Sequence, residues 1–135
     1  MQRVGDRMAQ IAIANGYFTD IGTNPFYWHD PPLEYGEPAL VYRDVGEEHS
    51  QIGRTHDNQL HVEIEGLIFT DSPGVEGNKA IADIIRAIGV DPTWSGLAYD
   101  SRLNKNSTVV ETEGKTAVRV LVEVDILYRV PLWQL

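Results

Sequence analysis

The chain has 135 residues, a net charge of −9 and no cysteine, which fits one globular domain and excludes disulfide scaffolds, cysteine-based zinc sites and thiol nucleophiles. Its 11 Lys and Arg residues are scattered among 20 Asp and Glu, so the basic patch that nucleic-acid binding requires is missing. No run of about 18 apolar residues occurs, and Asp6 and Arg7 interrupt any signal-peptide core, so we expect no membrane span and no export from the cytosol.

The N-terminal part predicts one short helix followed by a long connection. Val4, Met8 and Ile11 recur at helical spacing, and Asn15-Gly16 is a helix stop. Residues 17–38 show no clear period but contain four of the seven prolines and several aromatic side chains. We expect this stretch to pack on the domain through those aromatic residues.

Two strands are predicted next, joined by a polar tip. The segment "ALVYRDV" from Ala39 is the first, and the polar stretch 47–58, which contains Gly53, is typical of a hairpin tip. The segment "QLHVEIEGLIF" alternates and is the second strand, with Gly66 as a bulge or bend. Its inward side chains are Leu60, Val62, Ile64 and Ile68, and its outward ones are His61, Glu63 and Glu65.

A second, longer helix is predicted between Ser72-Pro73, a capping pair, and Gly89. One side carries an apolar stripe for the core, formed by Ile81, Ile84, Ile85 and Ile88. The opposite side carries charged residues at pairing distance, namely Glu76, Lys79, Asp83 and Arg86.

The C-terminal part predicts two more strands. The segment "GLAYDSRL" is the first, and residues 104–115 are a loop or second hairpin with a turn at Glu113-Gly114. The last strand alternates from Val118 to Val130. Its apolar side is Val118, Val120, Val122, Val124, Ile126, Tyr128 and Val130, and its other side is Arg119, Leu121, Glu123, Asp125, Leu127 and Arg129.

These elements predict an α+β domain over residues 1–135. It has two layers, an antiparallel or mixed sheet of four to five strands with two helices packed on one face. The sheet's other face, called the open face here, then carries the outward residues of both alternating strands. They are His61, Glu63, Glu65, Arg119, Leu121, Glu123, Asp125, Leu127 and Arg129.

Three roles for the open face stay open at this point. Water alone could cover it. His61, Glu63 and Glu65 share one strand face and could hold a metal ion in a small metal-dependent enzyme or ligand-binding domain. Leu121, Leu127 and the apolar tail around Trp133, set among mixed charges, are typical of a protein interface, although Trp133 could equally pack on its own domain. No nucleophile elbow, phosphate loop or dinucleotide fingerprint occurs, so we expect no enzyme and no cofactor.

The whole chain resembles the tail terminator (minor tail protein U-like) family of long-tailed bacteriophages and prophages. The resemblance rests on five segments in order, "GYFTDIG", "PALVYRD", "QLHVEIEGLIF", "NKAIADIIRAIG" and "VRVLVEVDILYRVP". Other head–tail connector proteins share the length and the helix–sheet layering. The aromatic, proline-rich stretch 25–38 departs from the family and would be a docking element if it faces outward.

The resemblance implies a structural protein of the virion tail, assembled in the cytoplasm of the host bacterium. Such a protein forms a hexameric ring that caps the tail tube, ends tube polymerisation and offers a docking surface to the head. Its partners would be further copies of itself, the tail tube protein and the head-completion or connector protein, and DNA would pass through without specific binding. An acidic wall suits that passage. The family has no fixed interface motif, so we take the expected subunit interface from the leucines and mixed charges of the last strand and its tail. It comprises Arg119, Leu121, Glu123, Asp125, Leu127, Arg129 and Trp133.

Overall fold

The computed structural model describes residues 2–23, 25–28, 38–111 and 116–131. Over these residues it contains five strands, two α-helices and one short 3-10 helix at Ile13–Asn15. In chain order the others are α1 (Gln2–Met8), β1 (Pro25–Tyr27), β2 (Ala39–Ile52), β3 (Thr55–Phe69), α2 (Pro73–Val90), β4 (Asp100–Glu111) and β5 (Ala117–Pro131). No helix in these ranges is long and apolar enough to cross a membrane.

The strands form one mixed sheet in the order β1-β2-β3-β5-β4. The four long strands pair antiparallel throughout, and only the short β1 runs parallel to its neighbour β2. Both helices pack on the same face, with Val4 and Met8 of α1 and Ile84 of α2 in a single apolar core. The predicted two-layer α+β architecture is confirmed.

The core confirms the alternation of inward and outward side chains that was predicted for β3 and β5. Their inward residues lie opposite one another, as in Val62 against Val124 and Ile64 against Val122, and these four are at most 1% exposed. Gly66 is not a bulge, because pairing runs through it to Val120 without a shift. A Cβ at Gly66 would lie 3.2 Å from Val120 Cγ2, so the glycine allows close packing there.

The apolar stripe predicted for α2 is confirmed, but the set of buried residues differs from the predicted one. Ile84 and Ile88 are buried, together with Ala80 and Ala87, whereas Ile81 and Ile85 are half-buried. The helix runs one residue past Gly89, to Val90, and the Ser72 side chain makes no capping hydrogen bond.

Asp83 corrects the prediction that it belongs to the charged side of this helix. It is fully buried. Its carboxylate accepts hydrogen bonds from Phe18 N at 3.0 Å, Thr19 N at 2.7 Å and Thr19 Oγ1 at 2.6 Å. Asp83 therefore ties the connection after the 3-10 helix to α2 and satisfies buried donors in that connection.

Several element boundaries also differ from the predictions. The first helix ends at Met8, well before Gly16. The polar stretch 47–58 is paired strand, and the hairpin turns only around Gly53, whose φ of 60° suits glycine. Of the two alternatives for residues 104–115, the structure favours the second hairpin, because residues 104–111 are strand and pair antiparallel with β5. The turn predicted at Glu113-Gly114 and most of the stretch 25–38 lie outside the described residues.

Candidate functional site

The open face gathers polar side chains from the two central strands, as the alternation predicts. His61 lies opposite Asp125 and Glu63 opposite Glu123. Further open-face pairs are Asp57–Arg129, Gln59–Leu127, Glu65–Leu121 and Leu67–Arg119. Because directly opposed side chains interact most strongly in a sheet, this register decides which charges compensate one another.

Arg43 of β2 links the acidic residues of β3. Its Nη1 lies 3.2 Å from Glu63 Oε2 and its Nη2 lies 2.9 Å from Glu65 Oε2. Arg119 of β5 reaches Glu65 from the other side, with Nη1 2.6 Å from Oε1. Two arginines thus bracket Glu65. Arg43 is absent from the predicted interface set, because its place opposite Glu63 depends on the register between β2 and β3.

The contacts with Arg43 and Arg119 determine the pKa of Glu65. Burial of the carboxyl group alone would raise its pKa, but hydrogen bonds from Arg119 and Arg43 outweigh burial and hold the pKa below its ordinary value. Glu65 is therefore a carboxylate held in its charged form. A carboxylate stabilised in its charged form can hold ion pairs, but it is poorly suited to donate a proton as a general acid.

His61 and Asp125 form a second polar cluster. His61 Nδ1 lies 2.5 Å from Asp125 Oδ1, and Gln59 Nε2 donates to Asp125 Oδ2 at 2.8 Å. His61 Nε2 is 3.4 Å from Glu48 Oε2. The hydrogen bond to Asp125 raises the pKa of His61 against the opposing effect of burial, and Glu48 adds to the rise.

The three potential ligands on β3 are therefore engaged by other side chains. His61 engages Asp125, whereas Glu63 and Glu65 engage Arg43. Within the described ranges, no group of three or more His, Asp or Glu side chains is arranged to hold a metal ion. A metal at this position would have to displace arginine contacts already made, which is an unfavourable arrangement for a catalytic centre.

The expected interface residues of β5 differ in accessibility. Leu127 is only 6% exposed, so the subunit itself already covers it, whereas Leu121 is half-buried. Arg129 remains largely exposed. Its Nε lies 2.6 Å from Asp57 Oδ1, and its guanidinium group lies over the ring of Tyr99. Trp133 lies outside the described residues.

Strand β4 carries a surface that the sequence did not single out. It ends the sheet, pairs only with β5, and has no described residue along its outer edge. Exposed large hydrophobic residues collect on it and in the turn before it, namely Leu97, Tyr99, Leu103, Val109 and Val110. The β-branched run Thr108-Val109-Val110 was the available sequence signal.

A groove of about 460 Å³ opens on the helix side of the sheet. Apolar side chains, among them Leu60, Trp94 and Leu97, form most of its lining, together with Gln2 and Arg3. The groove therefore offers mainly apolar contact area.

Models of known protein families give no match to this chain, and no curated protein matches it significantly.

Proposed function

We propose that this chain is a structural subunit that assembles into a ring, of the kind that caps the tail tube of long-tailed bacteriophages. In this role it would end tube polymerisation and offer a surface to the head-completion protein. It would work in the virion tail, after assembly in the host bacterial cytoplasm. The end-to-end resemblance described above supports the choice of terminator among ring-forming proteins.

One structural observation carries the proposal of assembly, the outer edge of β4, with which no described residue pairs. A long edge strand exposes unpaired backbone N–H and C=O groups, and monomeric proteins usually cover or shorten such an edge. Here β4 extends over Asp100–Glu111 and bears the exposed apolar residues Leu103, Val109 and Val110, although Lys105 and a register shift beside it interrupt the edge. Such a surface is suited to burial against another protein chain.

The charge balance supports a ring through which DNA passes. The net charge of −9 disfavours tight contact with phosphate. On the open face, Glu63 and Glu65 of β3 and Asp125 of β5 are paired within the subunit. Because these charges are compensated locally, this face would not attract a polyanion strongly.

The first test is the assembly state. Six copies of the 15.1 kDa chain would sediment at about 90 kDa. Analytical ultracentrifugation across protein and salt concentration should reveal this species, and electron microscopy should show a closed ring with a central opening. A monomer at every concentration and salt condition would contradict the proposal.

Two matched substitutions connect assembly to the edge strand. Val109 on β4 and Val75 on α2 are 56% and 57% exposed. Val109→Lys should weaken association, because it places a charge in the contact, whereas Val75→Lys should not. Equal behaviour of the two variants would remove β4 from the interface.

The open-face residues of β5 remain a proposed part of the same interface. Leu121→Asp is the appropriate variant, since Leu127 is buried within the subunit and its replacement would disturb folding. Reduced association of a Leu121→Asp protein that still melts cooperatively would support this assignment. Unchanged association would leave β4 as the contact and remove the β5 face.

A further inference from the structure

The groove on the helix side of the sheet is lined mainly by apolar side chains from three parts of the chain. Val4 comes from α1, and Leu60 and Ile126 come from β3 and β5. Trp94 and Leu97 come from the connection between α2 and β4. Leu97 is 63% exposed, so apolar surface in the groove reaches solvent. Covering that surface with another apolar group is favourable.

A buried amide group lies beside this groove. Asn58 is two residues from Leu60 on the same face of β3, directly opposite Tyr128, which also lines the groove. Asn58 is 1% exposed, and its Oδ1 lies 2.6 Å from His49 Nδ1. Its Nδ2 has no hydrogen-bond partner among the residues that the structure describes. Because buried donors are normally paired, we expect an acceptor from outside those residues.

Strand β5 ends close to both features. Its last residue is Pro131, paired with Thr55, and the next residues along the chain are Leu132-Trp133-Gln134-Leu135, called segment 132–135 here. Proline holds φ near the value that the second residue of a type I or II β-turn requires, and it has no N–H to continue a strand ladder. A turn over residues 130–133 can therefore return the chain along the helix face of the sheet.

The distances allow segment 132–135 to reach the groove. Tyr128 and Pro131 are three residues apart, a span of about 10 Å, and four further residues can extend over about 13 Å. Returning along the helix face, the segment would cross the pair Tyr128–Asn58 and then the pair Ile126–Leu60. A backbone carbonyl group of the segment would meet Asn58 Nδ2 at the first pair, and an apolar side chain would meet the groove at the second.

The other long stretches outside the described residues are less suited to this groove. Residues 112–115 join β4 to β5 at the opposite end of β5 from Pro131. Residues 29–37 follow Trp28, which donates to Tyr42 O on the outer edge of β2, so β3 separates them from the β5 side of the groove. Segment 132–135 has no charged side chain, and three of its four side chains are apolar.

We propose that segment 132–135 folds back on its own domain, with Trp133 filling the groove and a backbone carbonyl group accepting from Asn58 Nδ2. The short connection to β5 favours the chain's own segment over that of a second copy, because it raises the effective concentration at the groove. The segment would then join α1, the sheet and the connection before β4. This inference goes beyond the proposed function and assigns Trp133 to its own domain instead of the expected subunit interface.

Tryptophan fluorescence tests whether Trp133 occupies the groove. Its emission, taken as the difference between the parent and Trp133→Phe, should be blue-shifted and quenched by acrylamide less than that of Trp28, which is 53% exposed. Leu97→Asp, in the groove, should increase the quenching of Trp133. Leu103→Asp is the matched control, because Leu103 is exposed on β4 and does not line the groove.

Three fluorescence results would overturn the inference. If Trp133 in the parent is quenched as readily as Trp28, the groove is left to another ligand. If Leu97→Asp leaves the quenching of Trp133 unchanged, Trp133 does not lie in the groove. If Leu103→Asp alone increases it, Trp133 lies at a contact made by β4.

Cross-linking distinguishes the chain's own segment from that of a second copy, because the natural chain has no cysteine. Gln2 is exposed and lines the groove, so a protein with both Gln2→Cys and Gln134→Cys should form a disulfide within one chain under mild oxidation. Val75→Cys with Gln134→Cys is the control and should not, since Val75 is exposed at the start of α2 and does not line the groove.

Two cross-linking results would contradict the inference. Linked dimers in a mixture of the single variants Gln2→Cys and Gln134→Cys would show that a second copy supplies the segment. A double variant that forms no disulfide would show that the segment does not reach the groove. Sedimentation of the parent protein tests the proposed ring separately, so either result leaves the proposed function intact.

Discussion

The two faces of this sheet are stabilised in different ways. The helix face is apolar and close-packed, with Val118, Val120 and Val122 at most 1% exposed beneath α2. The open face is held by ion pairs around Arg43 and by the His61–Asp125 hydrogen bond. Since apolar burial contributes more than partly exposed ion pairs, the helix face should dominate stability.

Truncation in the helix layer should have the largest effect. Ile84 is fully buried, and Ile84→Ala should lower the free energy of unfolding by about 2–5 kcal/mol. Ile13→Ala is the control, because Ile13 is 59% exposed and its truncation should change stability by no more than about 0.5 kcal/mol. Denaturant melts measure both. Equal small changes would mean that α2 is not the dominant packing layer.

The buried carboxylate on the helix side should follow closely. Asp83→Ala leaves the backbone donors of Phe18 and Thr19 without their acceptor, and we expect a loss of about 2–3 kcal/mol. Asp83→Asn retains one acceptor oxygen and should lose less. If Asp83→Ala melts like the parent protein, water replaces the carboxylate at little cost and Asp83 does not anchor the connection.

On the open face, Arg43→Ala should cost less, about 1–2 kcal/mol, allowing for partial solvent screening. The loss should also depend on pH. The lowered pKa of Glu65 gives stability that is fully present above its unfolded value of 4.5 and is lost as pH falls through the lower folded pKa. Removing Arg43 weakens that contribution, so the variant should show a smaller acid-side loss. Parallel pH profiles of variant and parent would show that Arg43 does not lower the pKa of Glu65.

The His61–Asp125 pair should contribute less to stability, and its contribution should depend on pH in the opposite direction. Because the folded pKa of His61 is raised, its contribution is fully present below 6.5 and disappears as pH rises through the higher folded value. Asp125→Asn should therefore flatten the decline of the melting temperature on the alkaline side of 6.5. A decline as steep as that of the parent would show that another group titrates there.

Metal addition should have the smallest effect of all. His61, Glu63 and Glu65 are already engaged by other side chains, so we expect zinc or manganese to leave the melting temperature unchanged. Elemental analysis of the purified protein gives a second measurement. Stoichiometric metal, lost in a His61→Ala variant, would support the alternative of a small metal-dependent enzyme or ligand-binding domain.

Sequence reasoning succeeded where one face of an element is buried against the other layer. The alternation of β5 and the isoleucine stripe of α2 both arise because one face of each element is buried. Sequence reasoning predicted the hairpins but not the length of their strands. Residues 47–58 and 104–111 are paired strands, yet most of their side chains are polar or exposed, so no apolar alternation marks them.

The site was predictable in part for the same reason. Period two placed His61, Glu63 and Glu65 on one face with Glu123 and Asp125. It could not show that Arg43 lies beside Glu63, because strand register is a property of the folded sheet. Nor could it show that Asp83 turns inward, since its partners are backbone donors 64 and 65 residues away in the chain.

The continuous pairing of β3 also has a mechanical consequence. From Thr55 to Phe69 it is bonded to β5, and over almost the same length to β2. A force along the strands would load all of these backbone hydrogen bonds in shear at once, whereas a force across the sheet would open them one after another. The domain should therefore be stiff along the strand axis and weak across it, and pulling experiments along the two directions would measure that anisotropy.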